Sequence, residues 1–76
     1  MPNGINNWTY KDVKKILLKK GFLLSRIKGS HHYYSGFCNK SIRAVTVPFH
    51  GKKAILPRTM NSIITQSGIP KKEWIE

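Results

Sequence analysis

Residues 22–48 decide the fold, and they read FLLSRIKGSHHYYSGFCNKSIRAVTVP. Apolar, aromatic and β-branched residues recur in three short runs that are separated by turn-forming residues. They predict three strands, at residues 22–28, 31–35 and 42–48. Lys28-Gly29-Ser30 predicts the first turn, and the Gly and Asn in residues 36–40 predict a second hairpin loop. The stretch therefore predicts an antiparallel sheet.

A helix is predicted on each side of the strands. Thr9 is a favourable N-cap and Asp12 can complete a capping box, so a helix is expected from about residue 10 to residue 20. Thr59 is the predicted N-cap of a second helix that ends at Gly68. Short connections favour sequential strand pairing. The sequence thus predicts an α+β fold of the order α-β-β-β-α, with both helices on one face, as in double-stranded-RNA-binding domains.

Side chains alternate between the two faces of a strand. In the first strand, this predicts one face with Phe22, Leu24 and Arg26, and another with Leu23, Ser25 and Ile27. The neighbours His31 and His32 must also point to opposite faces, as must Tyr33 and Tyr34. One histidine is therefore expected to face the helices and the other the solvent.

The amino-acid composition favours certain classes of binding partner and one cellular compartment. The 76 residues predict one domain, residues 1–76, and the formal net charge of +11 favours a polyanion such as RNA, DNA or an acidic protein surface. The lone Cys38 allows no internal disulfide, and no cluster has metal-ligand spacing, so we expect a cytoplasmic protein without a metal or a small-molecule cofactor. No apolar run approaches the roughly 20 residues that span a membrane, so no membrane association is expected.

The segment Gly29–Tyr34 carries the candidate chemistry. Histidine as a residue type has an unperturbed pKa of about 6.5 and can both give and take a proton near neutral pH. If the protein only binds, the same residues form a polar and aromatic stripe on a strand. Four cations from the flanking strands and loops are candidates for contact with phosphate: Arg26, Lys28, Lys52 and Lys53. Tyr33 or Tyr34 can stack on a base, and His50 can contact phosphate or a protein partner.

An ordered set of short motifs resembles the HicA toxins, small ribonucleases that are paired with HicB antitoxins. The set comprises Gly21-Phe22, Gly29-Ser30-His31, Val47-Pro48-Phe49-His50, Leu56-Pro57-Arg58-Thr59 and a helix that ends at Gly68. The resemblance extends from about Tyr10 to Ile69. At Arg58 the family commonly has glycine, so the turn before the second helix is expected to differ, and Arg58 adds a possible phosphate contact.

The resemblance implies metal-independent cleavage of mRNA and inhibition by a HicB-like antitoxin. It implies that His31 is the catalytic residue, with His32 as the alternative because family members vary in the position of this histidine. The residues expected to bind RNA are Arg26, Lys28, Ser30, Tyr33, His50, Lys52, Lys53 and Arg58. No residue is expected to bind a metal.

Two other function classes fit the composition. A non-catalytic RNA-binding module of the same fold would recognise RNA by its shape and phosphates. The second helix, however, carries no lysine between Met60 and Gly68, unlike the last helix of such modules, and this favours the enzyme. A DNA-binding module has only the charge in its favour, because no predicted helix combines basic and base-reading residues.

Overall fold

Two helices flank a three-stranded sheet in the computed structural model, which describes residues 4–75. The elements are α1 (Tyr10–Lys19), β1 (Leu23–Lys28), β2 (His31–Cys38), β3 (Ser41–Pro48), α2 (Pro57–Ser67) and a short 3₁₀ turn at Lys71–Glu73. The strands pair antiparallel in the order β1-β2-β3. The predicted α-β-β-β-α fold is confirmed. Residues 1–3 and Glu76 of the predicted domain lie outside the described residues.

A capping box begins α1, as predicted. The backbone N–H of Thr9 donates to Asp12 Oδ2 over 3.0 Å, and Thr9 Oγ1 accepts from the backbone N–H of Asp12 over 3.5 Å. These bonds satisfy backbone groups that have no partner inside the helix. Gly21 follows the helix with a φ of +89°, a left-handed conformation that glycine adopts without strain. The helix is thus fixed at both ends by local sequence.

The hydrophobic core lies between the helices and one face of the sheet, which we call the inner face. Tyr34, Val45 and Val47 point from β2 and β3 into this core and are almost completely buried. Other fully buried side chains come from α1, α2 and the segments beside them: Trp8, Val13, Leu17, Phe22, Met60 and Ile63. The opposite face of the sheet, the outer face, is not covered by any element among residues 4–75.

A bulge in β1 changes which of its residues share a face. Leu24 pairs with Tyr34 but Arg26 pairs with Tyr33, so Ser25 is an extra residue between them. The prediction that Leu24 and Arg26 share a face is therefore wrong. Leu24 lies on the inner face and Arg26 on the outer face. The Ser25 hydroxyl donates to the carbonyl oxygen of Tyr33 over 2.9 Å, which anchors the bulge to β2.

The second hairpin is tighter than its composition suggests. β2 continues to Cys38, so the predicted end at residue 35 is wrong, and the turn consists of Asn39 and Lys40 with φ of +54° and +69°. Gly36 lies inside the strand rather than in the loop. The ring of Phe22 packs against it so closely that a Cβ on Gly36 would lie 2.6 Å from Phe22 Cγ. Close approach of another group is a common reason for glycine in a strand.

The second helix begins earlier than predicted. Leu56 is the N-cap and Pro57 is the first helical residue, so the prediction of Thr59 as the N-cap is wrong. Proline is favoured at this position because its fixed φ suits a helix and its missing N–H is not needed there. The predicted end is confirmed, since Gly68 is the C-cap in the left-handed conformation with a φ of +73°.

Candidate active site

The Gly29-Ser30 turn places the two adjacent histidines on opposite faces of the sheet. Gly29 has a φ of +59° and, together with Ser30, forms the two-residue turn between β1 and β2. His31 is exposed on the outer face. His32 is half-buried on the inner face, within hydrogen-bond distance of Tyr10. The expectation that one histidine faces the helices and the other the solvent is confirmed.

Cations and an aromatic ring surround His31 on the outer face. Lys28 on β1 and Pro48 on β3 are its direct cross-strand partners. The next outer-face residue of β2 is Tyr33, and the Arg26 guanidinium carbon lies 4.6 Å from the centre of its ring. This distance fits a cation–π interaction, which holds Arg26 over the face of the tyrosine. Four of the predicted site residues therefore lie together at one end of this face.

The loop after β3 begins beside the same turn. The backbone N–H of Phe49 donates to the carbonyl oxygen of Ser30 over 2.7 Å, which extends the β2–β3 pairing by one contact. A second turn then closes through the hydrogen bond from the Lys53 N–H to the His50 carbonyl oxygen, at 3.2 Å. The loop presents exposed basic side chains near the end of the sheet that carries His31: His50, Lys52 and Lys53.

Arg58 is separate from this group. It lies in the first turn of α2, which packs against the inner face. Within residues 4–75, no hydrogen bond or ion pair joins Arg58 to the other predicted site residues. The structure therefore brings together the candidates from β1, β2 and the loop after β3, whereas Arg58 occupies a different element.

A hydrogen-bonded chain of three side chains holds His32 in place. The Tyr10 hydroxyl lies 2.8 Å from His32 Nδ1 and 2.6 Å from the Tyr34 hydroxyl. Phe49 stacks on the His32 ring with 5.1 Å between the ring centres, and Tyr10 meets His32 edge-on at 4.8 Å. Burial, together with the hydrogen bond to Tyr10, raises the pKa of the Tyr34 hydroxyl above its ordinary value, so Tyr34 stays neutral. His32 thus belongs to the packing between α1, β2 and the loop after β3.

The sequence does not predict most of the contacts around His32. No pattern in the sequence pairs Tyr10 or Phe49 with His32. Tyr10 and His32 are 22 residues apart, and only the packing of α1 on the sheet brings them together. For Phe49 a sequence signal did exist: it directly follows β3, and antiparallel pairing of the end of β3 with the start of β2 places it beside the Gly29-Ser30 turn.

The Tyr10 hydroxyl, which lies between His32 and Tyr34, gives a testable prediction for stability. Replacing Tyr10 with phenylalanine leaves the buried Tyr34 hydroxyl without its partner. We expect the free energy of unfolding in urea to fall by about 1–3 kcal/mol. Tyr33→Phe is the matched control, since the Tyr33 side chain lies on the uncovered outer face, and we expect a change within about 0.5 kcal/mol. Equal stability of the two variants would contradict a structural role for the hydrogen bonds among Tyr10, His32 and Tyr34.

Other surface features do not add to the group around His31. A groove of about 600 Å³ lies where α1 ends, lined by Ile16, Lys19, Lys20, Lys72, Glu73 and Ile75, and it contains none of the predicted site residues. Among residues 4–75, no three His, Cys, Asp or Glu side chains are grouped as a metal site requires. No helix in this part of the chain is long and apolar enough to cross a membrane.

Comparison with known proteins identifies a family. A family model described as the HicA toxin of bacterial toxin-antitoxin matches residues 10–69 of the 76-residue chain. A search of curated proteins and a search of solved structures gave no match. The matched range begins with α1 and ends after α2, so it includes all three strands and the Gly29-Ser30 turn.

Proposed function

Because the chain belongs to the HicA toxin family of bacterial toxin–antitoxin systems, we propose that it is an endoribonuclease that cleaves mRNA and is inhibited by a HicB-type antitoxin. The observation that carries this proposal is the position of His31. It is exposed on an uncovered sheet face, directly opposite Lys28, in a chain with a net charge of +11. A proton-transfer group beside a cation can catalyse cleavage of an RNA phosphodiester without a metal.

In the proposed reaction, the ribose 2′-oxygen attacks the adjacent phosphorus. The 2′-hydroxyl loses its proton, the new P–O2′ bond forms, and the bond from phosphorus to the 5′-oxygen breaks. The leaving 5′-oxygen takes up a proton, so the products are a 2′,3′-cyclic phosphate and a 5′-hydroxyl. We propose that His31 transfers one of these two protons, either as general base or as general acid.

The cations near His31 have a separate role in this proposal. Negative charge increases on the phosphate oxygens as the 2′-oxygen attacks, and fixed positive charge stabilises it. Lys28 is the cross-strand partner of His31, and Arg26 lies on the same face beside Tyr33. His50, Lys52 and Lys53 in the loop after β3 extend the basic surface. Ser30 and Tyr33 add polar and stacking contacts to the RNA, and Arg58 is assigned only a distant backbone contact.

The contacts of the two histidines support His31 over His32 as the catalytic residue. His32 Nδ1 lies within hydrogen-bond distance of the Tyr10 hydroxyl, and Phe49 is stacked on the His32 ring. Within residues 4–75, His31 forms no side-chain hydrogen bond, so both of its ring nitrogens are available to a substrate. A group that must exchange protons with RNA needs this freedom.

A cleavage assay tests the proposed function. The purified chain is incubated with a long mRNA in excess EDTA, and the ends of the products are identified. We expect cleavage that continues in EDTA, gives 2′,3′-cyclic phosphate ends and stops when the antitoxin is added back. RNA in which the sugar at a cleaved position is 2′-deoxy is the matched control, and it must resist cleavage there. Salt-dependent binding without cleavage would instead support the RNA-binding module.

A further inference from the structure

Strand β1 forms an edge of the sheet, and no element among residues 4–75 buries either of its faces. All six of its residues are exposed. Three of them are large and apolar: Leu23 is 68 % exposed, Leu24 46 % and Ile27 55 %. Leu24 and Ile27 lie on the inner face, where the same positions of β2 and β3 contact the helices. An edge strand with exposed apolar side chains is a site at which another chain can pair.

The other edge of the sheet is partly closed. The backbone N–H of Thr46 in β3 donates to Gln66 Oε1 of α2 over 3.0 Å. A side chain of the same protein therefore occupies a backbone donor on this edge. Within residues 4–75, no side chain forms an equivalent hydrogen bond with the backbone of β1. Among residues 4–75, β1 carries three exposed large apolar side chains and β3 carries one, Ile42, so β1 is the more open and more apolar of the two edges.

The positive charge of β1 indicates which kind of polypeptide strand can pair with it. Arg26 and Lys28 both lie on the outer face of β1, and the chain as a whole carries +11. A second copy pairing here would bring these cations against their own equivalents, which is unfavourable. An acidic strand would neutralise them. The edge thus repels copies of this chain and attracts a strand of opposite charge.

We propose that β1 pairs with an extended acidic segment of the antitoxin, which becomes a fourth strand of the sheet. This inference rests on the proposed function, since it identifies how the inhibitor binds. The incoming strand carries acidic residues on the outer face, opposite Arg26 and Lys28. On the inner face it carries apolar residues that cover Leu24 and Ile27. Backbone hydrogen bonds supply affinity and the alternating side chains supply specificity.

The position of the added strand also explains inhibition. Lys28 is the direct cross-strand partner of His31. An acidic residue opposite Lys28 would occupy the cation that the proposed reaction needs and would place negative charge beside the phosphate path. The bound strand therefore weakens RNA binding at His31 without filling a pocket.

Hydrogen exchange measured on the complex tests the pairing. The chain is co-purified with its antitoxin, and backbone exchange is compared with that of the free chain. We expect the amides within residues 23–28 that point away from β2 to exchange at least about tenfold more slowly in the complex. Residues 41–48 on the opposite edge should change little. If exchange of these amides in the free chain becomes slower as the protein concentration is raised, a second copy occupies β1 and the inference is overturned.

A matched pair of substitutions tests the side-chain contacts. Ile27→Ser and Ile42→Ser make the same change at exposed positions of the two edge strands, with Ile42 81 % exposed. We expect Ile27→Ser to weaken antitoxin binding roughly tenfold or more, and Ile42→Ser to leave it within about twofold. Circular dichroism checks that both variants fold.

The outcomes separate this inference from the proposed function. If the antitoxin binds both variants equally and protects other segments, the edge pairing is wrong while the ribonuclease proposal stands. If the chain binds the antitoxin through β1 but cleaves no RNA in any condition, the proposed pairing at β1 is supported and the ribonuclease proposal fails. If no complex forms, the docking inference is overturned, and cleavage alone then decides the proposed function.

Discussion

Replacing His31 with alanine reduces the rate of RNA cleavage by about 10²–10⁴-fold, the usual contribution of a general acid or base. The fold should be unaffected, because His31 is exposed and forms no side-chain hydrogen bond within residues 4–75. The affinity for RNA should fall only a few-fold, since the surrounding cations remain. Single-turnover cleavage and RNA binding, measured on the same preparation, separate the two effects.

His32→Ala is the informative control for this experiment. His32 lies on the inner face and is bonded to Tyr10, so its loss should lower the free energy of unfolding by about 1 kcal/mol or more. Cleavage by the folded fraction of this variant should stay within roughly tenfold of the wild type. If instead His32→Ala abolishes cleavage while His31→Ala has full activity, the roles of the two histidines are reversed.

Replacing Gly36 with alanine is expected to destabilise the chain by about 1–3 kcal/mol. This is a large fraction of the roughly 3–5 kcal/mol that a domain of this size achieves. The new Cβ would lie 2.6 Å from Cγ and 2.8 Å from both Cδ atoms of Phe22, a ring that is fully buried. Propensity alone predicts the opposite, because glycine weakens a strand. Urea unfolding at equilibrium measures the effect.

A double-mutant cycle identifies the cause of that destabilisation. Phe22→Leu removes the flat ring that lies against Gly36. We expect Gly36→Ala to destabilise the Phe22→Leu background by at least about 0.5 kcal/mol less than the wild type. If the two substitutions are additive, the contact between the ring and the glycine does not determine the result, and strain elsewhere in β2 does.

The elements that could be predicted from the sequence are those fixed by neighbouring residues. Thr9 and Asp12 form their capping box within one turn, and Gly21 and Gly68 end the helices through their own backbone angles. What could not be predicted depends on contacts between distant residues. Gly36 reads as a turn residue, yet it lies in a strand because Phe22 packs on it. The extra residue Ser25 has no local signal and changes the faces of β1.

In the candidate site, too, only the features fixed by neighbouring residues could be predicted. The period of two in a strand predicts that His31 and His32 point to opposite faces, and this needs no tertiary information. Sequence could not say which histidine faces the helices, because that depends on the register of β2 in the sheet. The register places His32 beside Tyr10 and Phe49. The same packing places Arg58 on α2, apart from the group around His31.

The order of the strands in the sheet follows their order along the chain, with two-residue turns between them. Every strand pairing therefore joins neighbouring segments, and such low contact order favours folding faster than that of β-sandwiches, which need milliseconds to seconds. Ribosomes add about 5–20 residues per second, so synthesis of 76 residues takes several seconds. Folding is then not the slow step, and the chain reaches its native state almost as soon as it is released. In the function proposed above, an inhibitor would consequently meet a chain that is already folded.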